Sequence, residues 1–294
     1  MSDSSENLGV LVGVDGSEAS RAAVRWAARW AAERNTGLTI VYADLPVDPA
    51  SSLIYLMGPV PEELVHKQEQ HAHQVVEEAL KTANEAAPDL RIVTKALAAS
   101  AVPSLVELSE RAEILVVGRV GRSALERVLI GSVASAMIHH AHCPVAVVPD
   151  DEAPTAPDAP VVVGVDATPS CELAITMAFD EASRRGAELV AVHASCDSDI
   201  FGLHEYEWHF SESKAHEALA ERLAGQQELY PDVRVRREVV FDKPAKHLVS
   251  SAEHAQLVVV GTRGRGDLAR AFLGSVSSAV VQAACTPVIV ARSR

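Results

Sequence analysis

The sequence predicts a tandem α/β protein: two doubly wound domains, each a five-stranded parallel sheet flanked by helices. Three observations predict it. First, the chain repeats itself. LGVLVGVD at residues 8–15 is answered by APVVVGVD at 159–166, and VVGRVGRSALERVLIGS at 116–132 by VVGTRGRGDLARAFLGS at 259–275. Second, short runs of Val and Ile alternate with longer amphipathic stretches, the order of βαβ units. Third, those runs are nearly continuous rather than alternately apolar and polar, as expected when helices cover both faces of a sheet.

The elements follow in order. In the first copy a strand is predicted at Val10–Val14. Ser17 is placed to cap the next helix, in which Ala23, Trp26, Ala27, Trp30 and Ala31 recur at helical spacing as core positions. Leu38–Ala43 reads as a second strand, and the Glu-, Gln-, Ala- and Lys-rich stretch from Pro61 to Ala86 as a long helix. Strands are then expected at Arg91–Leu97, Ile114–Gly118 and Pro144–Val148, with helices over Pro103–Arg111 and Ser132–Ala141 between them. In the second copy Thr168 and Pro169 suit the N-cap and first position of the opening helix. Its strands are expected at Val161–Val165, Leu189–Ala194, Val233–Val240, Leu257–Val260 and Val288–Val290.

At 294 residues the chain is long enough for two cores. The copies are offset by 151 residues at Asp15 and Asp166 but by 143 at Gly118 and Gly261, so the first is longer in between. The acidic, proline-rich segment DDEAPTAPDAP at 150–160 reads as the linker. The expected domains are therefore 1–150 and 151–294.

A net charge of −14 argues against nucleic acid as a general partner, because a phosphate backbone is bound through clustered Lys and Arg. The four cysteines, Cys143, Cys171, Cys196 and Cys285, form no C-x-x-C pair, which fits free thiols in a reducing compartment. The opening MSDSSENLG lacks the charged and apolar regions of a secretion signal, and no apolar run approaches the roughly 20 residues of a membrane span. A soluble cytoplasmic protein is the expectation.

The glycines carry the chemistry. Gly118, Gly121 and Gly131-Ser132 recur at the same spacing as Gly261, Gly264 and Gly274-Ser275. Each set starts at the carboxyl end of a predicted strand, where open parallel sheets bind ligands, and ends at a helix start. Glycine permits positive φ and close backbone approach. Free amides at the helix mouth, with the Ser hydroxyl, suit an anion without needing net positive charge. Arg119, Arg122, Arg263 and Arg265 are placed to add charge against a polyphosphate. Asp15 and Asp166, at the end of each first strand, are acceptors for ribose hydroxyls or an adenine amino group. Helix capping is the blander role for both, and the two roles are compatible.

This G-x2-G-x9-G-[ST] pattern, with V-x-V-D opening each copy, resembles the universal stress protein family, and the duplication resembles its tandem form. The resemblance implies a Rossmann-like domain of strand order 3-2-1-4-5 that binds ATP, with Mg2+ held through the phosphates. Carried over by position, the first-strand contacts are Gly13, Val14 and Asp15, and Gly164, Val165 and Asp166. Ala43 and Ala194 would line the adenine pocket. Phosphate contacts would fall on Gly118, Gly121, Arg122, Gly131, Ser132, Val133 and Ala134, and on Gly261, Gly264, Arg265, Gly274, Ser275, Val276 and Ser277. Gly13 and Gly164 stand where some members have proline, which predicts a roomier base pocket. The family also implies that the last strands, Val145–Val148 and Val288–Val290, meet about a pseudo-two-fold axis, and it makes a homodimer and regulatory protein partners expectations.

No positioned general base or catalytic lysine accompanies the glycines, so a nucleotide-dependent regulator of stress or growth arrest is expected rather than an enzyme. An interaction scaffold with empty clefts, a weak ATPase and a cyclic-AMP binder remain as alternatives. Other motifs fall away. Gly264–Ala269 imitates a dinucleotide fingerprint but follows the fourth strand instead of the first, and no P-loop is present. His139, His140, His142 and Cys143 lie at a helix end, where the dipole favours histidine, and a metal role is the lesser reading.

Overall fold

Val10, Leu11 and Val12 expose no surface, nor do Val161 and Val163, because each valine run becomes a central strand covered on both faces. The computed structural model describes residues 7–45, 62–120, 130–150, 156, 158–166, 171–194, 205–262 and 273–292. It divides into two units, Met1–Asp151 and Glu152–Ser293.

In unit 1 the order is β1 (Gly9–Val14), α1 (Glu18–Glu33), β2 (Leu38–Ala43), α2 (Glu62–Ala86), β3 (Ile92–Leu97), α3 (Ala101–Ser109), β4 (Ala112–Gly118), α4 (Ser132–His140) and β5 (Val145–Val148). The strands are parallel, in the order β3-β2-β1-β4-β5. Unit 2 repeats this with β6 (Val161–Val165), α5 (Cys171–Arg185), β7 (Leu189–Ala194), α6 (Glu205–Leu229), β8 (Val235–Val240), α7 (Pro244–Ala252), β9 (Leu257–Gly261), α8 (Ser275–Ala283) and β10 (Val288–Ala291). Its order is β8-β7-β6-β9-β10, again parallel.

In each unit the chain moves outward from the first strand on one side, then returns to build on the other. The fourth strand pairs with the first, Val12 beside Val116 in unit 1 and Val163 beside Val259 in unit 2. Strand ends on either side of that reversal splay their connections apart and leave a crevice.

The expected core of α1 is in place: Ala23, Trp26, Ala27, Trp30 and Ala31 are all buried. The continuous-burial expectation fails for β3 and β8. Val93 is 39% exposed and no residue of β3 is buried, because an outer strand lacks a neighbour on one side. Lys95 on β3 and Arg236, Arg237 and Glu238 on β8 put charge on these strands, which discourages pairing with another sheet. Among the described residues no helix is long and apolar enough to cross a membrane.

Candidate functional site

Each unit holds a cleft at the carboxyl ends of its first and fourth strands. In unit 1 the residue after β1 is Asp15. Its Oδ1 accepts from the Ser17 amide at 3.0 Å and from the Ser17 hydroxyl at 2.6 Å. Ser17 in turn accepts from the Ser20 amide at 3.1 Å, the N-cap predicted for α1. The cap of α1 is therefore Ser17 and not Asp15; the Asp15 carboxylate lines the cleft and is held in place by its two bonds from Ser17. Asp166 lines the unit 2 cleft and is exposed. Thr168 and Pro169 lie outside the described residues.

Gly118, at the end of β4, meets a demand of the fold itself. A Cβ there would lie 2.6 Å from the carbonyl carbon of Ala19 and 2.8 Å from its oxygen. The first turn of α1 crosses directly over it, and only glycine lets the backbones approach so closely. Gly131 and Gly274 open helices as expected, but without the positive φ that glycine permits. Both are N-cap residues in extended backbone, φ −69° and −63°, so neither uses the left-handed region.

What these two glycines leave is an open helix mouth. Helical bonding in α4 starts with the Ser135 amide on the Gly131 carbonyl, and in α8 with Ser278 on Gly274, each at 2.9 Å. The amides ahead of that point have no intrahelical acceptor, and neither N-cap supplies a side-chain bond. Contrast α1, which Ser17 caps. In unit 1, Gly131, Ser132, Val133 and Ala134 line the cleft together with Gly13, Val14, Asp15, Ala43 and Gly118. In unit 2, Gly164, Val165, Asp166, Gly261, Gly274, Val276 and Ser277 do so. Ser275 opens α8 with its side chain exposed and is not among the described residues of the cleft wall; Ala194 ends β7, and its side chain lies outside the described residues. Gly121, Arg122, Arg263, Gly264 and Arg265 lie outside the described residues.

Arg119 departs from its expected part. Its amide continues the ladder onto the Val148 carbonyl at 2.8 Å, and its guanidinium reaches Asp150 at 3.8 Å instead of the cleft. The cleft beside Gly13 and Gly164 is also tighter than glycine at these positions predicts. A Cβ on Gly13 would meet Leu105 Cδ1 at 3.1 Å, and one on Gly164 would meet Leu248 Cδ1 at the same distance. Leucines on α3 and α7 fill the room that glycine vacates.

Several lining residues carry no local signal in the sequence: Val41, Leu105 and Ser20 in unit 1, and Val192, Leu248, Cys171 and Thr262 in unit 2. Only a position-by-position overlay of the copies would have pointed to them. Cys171 is 2% exposed, and its thiol points at the Gly164 carbonyl, 3.6 Å away. Burial pushes its pKa up to about 11, so it stays a thiol and not a nucleophilic thiolate at neutral pH. His139 and His140 occupy the last turn of α4, and His142 Nε2 lies 3.8 Å from Glu110. Among the described residues no three His, Cys, Asp or Glu side chains gather as a metal site.

Comparison with known proteins matches both units separately. The model of the universal stress protein family matches residues 9–149 and again 159–292. Two relatives from Mycobacterium tuberculosis (strain ATCC 25618 / H37Rv) align along their whole length. Universal stress protein Rv2623 is 44% identical over 297 residues and universal stress protein Rv2005c 47% over 300, each alignment covering 99% of both chains. Among solved structures, a universal stress protein from Archaeoglobus fulgidus DSM 4304 superposes with a TM-score of 0.72 over 98% of this chain and 99% of its own. At 18% identity that likeness is one of fold.

Proposed function

The chain belongs to the universal stress protein family, and from that premise we propose that it is an ATP-binding regulator of stress or growth-arrest responses, acting in the cytoplasm. One observation carries the reading. The helices that follow the fourth strand in each unit begin at a cleft with no side-chain cap, while in unit 1 the helix that follows the first strand is capped by Ser17. A helix start left open toward a cavity offers amide donors and the positive end of the dipole to an anion. Asp15 and Asp166 stand across the same clefts as acceptors for a sugar hydroxyl, so one ligand carrying both phosphate and ribose answers both features. Leu105 with Val41, and Leu248 with Val192, give the base an apolar wall. In an acidic chain, fixed amides also avoid gathering lysines. Mg2+ would enter with the phosphates.

Binding rather than turnover is the proposed role, since no lysine or histidine stands among the described lining residues to activate water. The bound nucleotide would order the surface around the helix mouths for regulatory protein partners to read.

Heat-denaturing the purified chain and chromatographing the released small molecules tests this. ATP in the supernatant, or a thermal shift on adding Mg-ATP, is the expected result. Gly131→Val with Gly274→Val should abolish the shift while circular dichroism stays unchanged, because an extended N-cap accepts valine. Preference for cyclic AMP would transfer the site to another ligand. No nucleotide under any condition would leave a scaffold.

A further inference from the structure

The two clefts rise from the same strand ends but are not built from the same atoms. Overlaying Asp15 on Asp166 pairs Ser20 with Cys171, and overlaying Gly118 on Gly261 pairs Ala101 with Pro244 and Ala134 with Ser277. All six line their clefts. At every pair unit 2 has the larger side chain: a pyrrolidine ring for a methyl group, sulfur for oxygen, and a hydroxymethyl for a methyl. The cavities differ in the same direction, about 300 Å³ in unit 1 and about 150 Å³ in unit 2, and these side chains supply part of that difference. Small-molecule sites begin at roughly 300 Å³. Unit 1 reaches that size and unit 2 has half of it.

These side chains are also held where they are. Pro244 starts α7 immediately after Lys243, whose φ is 42°. Cys171 points its thiol at the Gly164 carbonyl. Ser277 is 8% exposed and donates its hydroxyl to the Gly261 carbonyl at 2.8 Å. With its hydrogen engaged there, Ser277 meets an approaching phosphate with lone pairs. Ala134 presents none at the corresponding place. The narrower cleft is therefore also the one whose helix mouth carries an added electron-rich oxygen.

Resting on the nucleotide reading above, we infer that the clefts are unequal: ATP fills unit 1 first and unit 2 only at higher concentration, with Pro244, Cys171 and Ser277 setting the difference. The chain then reads nucleotide level in two steps, one ATP per chain over a middle range and two above it.

Isothermal titration of Mg-ATP into the full chain tests this, with Gly274→Val isolating the unit 1 site and Gly131→Val isolating that of unit 2. Unit 2 should bind on the order of tenfold more weakly. In the Gly131→Val background, Pro244→Ala, Cys171→Ser and Ser277→Ala together should bring its Kd within about twofold of unit 1. Should the combined variant fold poorly, Ser277→Ala alone should still tighten binding by a measurable part of that gap. Two indistinguishable sites, or a tighter unit 2, would overturn the inequality and leave nucleotide binding standing. No tightening from either the combined or the single variant would overturn the assignment to these residues. Absence of heat from the wild type and both isolating variants would instead remove the nucleotide reading itself.

Discussion

The first helix of each unit meets the same problem near its C-terminal end and answers it differently. Positions 30 and 34 in unit 1 correspond to 181 and 185 in unit 2, one helical turn apart. In α1 the pair is Trp30 and Arg34, with the guanidinium carbon 3.8 Å from the centre of the ring. In α5 it is Glu181 and Arg185, joined by an ion pair of 2.9 Å with the Glu181 side chain 1% exposed. Arg185 goes on to Gln256 at 3.1 Å, and Gln256 donates to the Ala159 carbonyl at 2.6 Å just before β6. Both copies place an arginine at this turn. They differ in whether an aromatic face or a carboxylate receives that arginine. One solution stabilises through apolar area and cation–π attraction, the other through a nearly buried charge pair whose desolvation offsets much of its attraction.

That contrast can be broken by mutation. Trp30→Ala should cost unit 1 about 3–5 kcal/mol, through lost area and a cavity beside Trp26, whose ring centroid lies 6.4 Å away. Glu181→Ala should cost unit 2 less, about 1–3 kcal/mol for a donor left without its partner, because Arg185 is 18% exposed and can turn toward water. Hydrogen exchange read at β1 and β6 reports each unit separately, each loss appearing in its own sheet. Equal losses would mean that the ion-pair network matches the packed ring, and a larger one from Glu181→Ala that it outweighs it.

Both helices were legible in the sequence, but these end solutions were not. Apolar residues at helical spacing place α1, and the strands Leu38–Ala43, Val161–Val165 and Leu189–Ala194 emerge with their expected bounds. Those are local patterns, and local pattern is what a single sequence displays. Ends are less visible. The helix expected at Pro103–Arg111 forms at Ala101–Ser109, because a proline within the first turn loses no helical bond. The strand expected from Val233 starts at Val235, after a turn in which the Val233 amide bonds to the Tyr230 carbonyl. At the site, the strand-end carboxylates and helix mouths were legible because glycine and aspartate mark them. Leu105 over Gly13, Arg119 directed to Asp150 and Pro244 in the cleft wall were not. Each depends on segments far apart in the chain that only the folded sheet brings together.

The helix starts sharpen the comparison on a smaller scale. Ser17 gives α1 both a cap for the Ser20 amide and a donor for Asp15. Ser17→Ala should cost about 1 kcal/mol in a urea titration. It should also weaken nucleotide binding in unit 1 alone, because the Asp15 carboxylate loses its positioning hydroxyl. A variant that loses the stability but binds as before would separate the cap from the site.

The smallest effect distinguishes the two helices by pH. Glu18, in the first turn of α1, pairs with Arg21 at 2.7 Å, and that guanidinium holds its carboxyl below the ordinary value of 4.5. The corresponding positions in the second copy are Pro169 and Glu172, which cannot form such a pair. A carboxyl whose pKa is lower folded than unfolded contributes fully above the unfolded value, and its contribution disappears as pH falls through the folded one. Glu18 is 59% exposed, so solvent screening limits the pair to about 0.5 kcal/mol or less. The urea midpoint of Glu18→Gln should therefore sit slightly below that of the wild type at neutral pH. The gap should close as pH falls below about 4, and should narrow in high salt at any pH. A gap that persisted in acid would have to come from the geometry of the helix start, and the two first helices would then differ there in shape and not in charge.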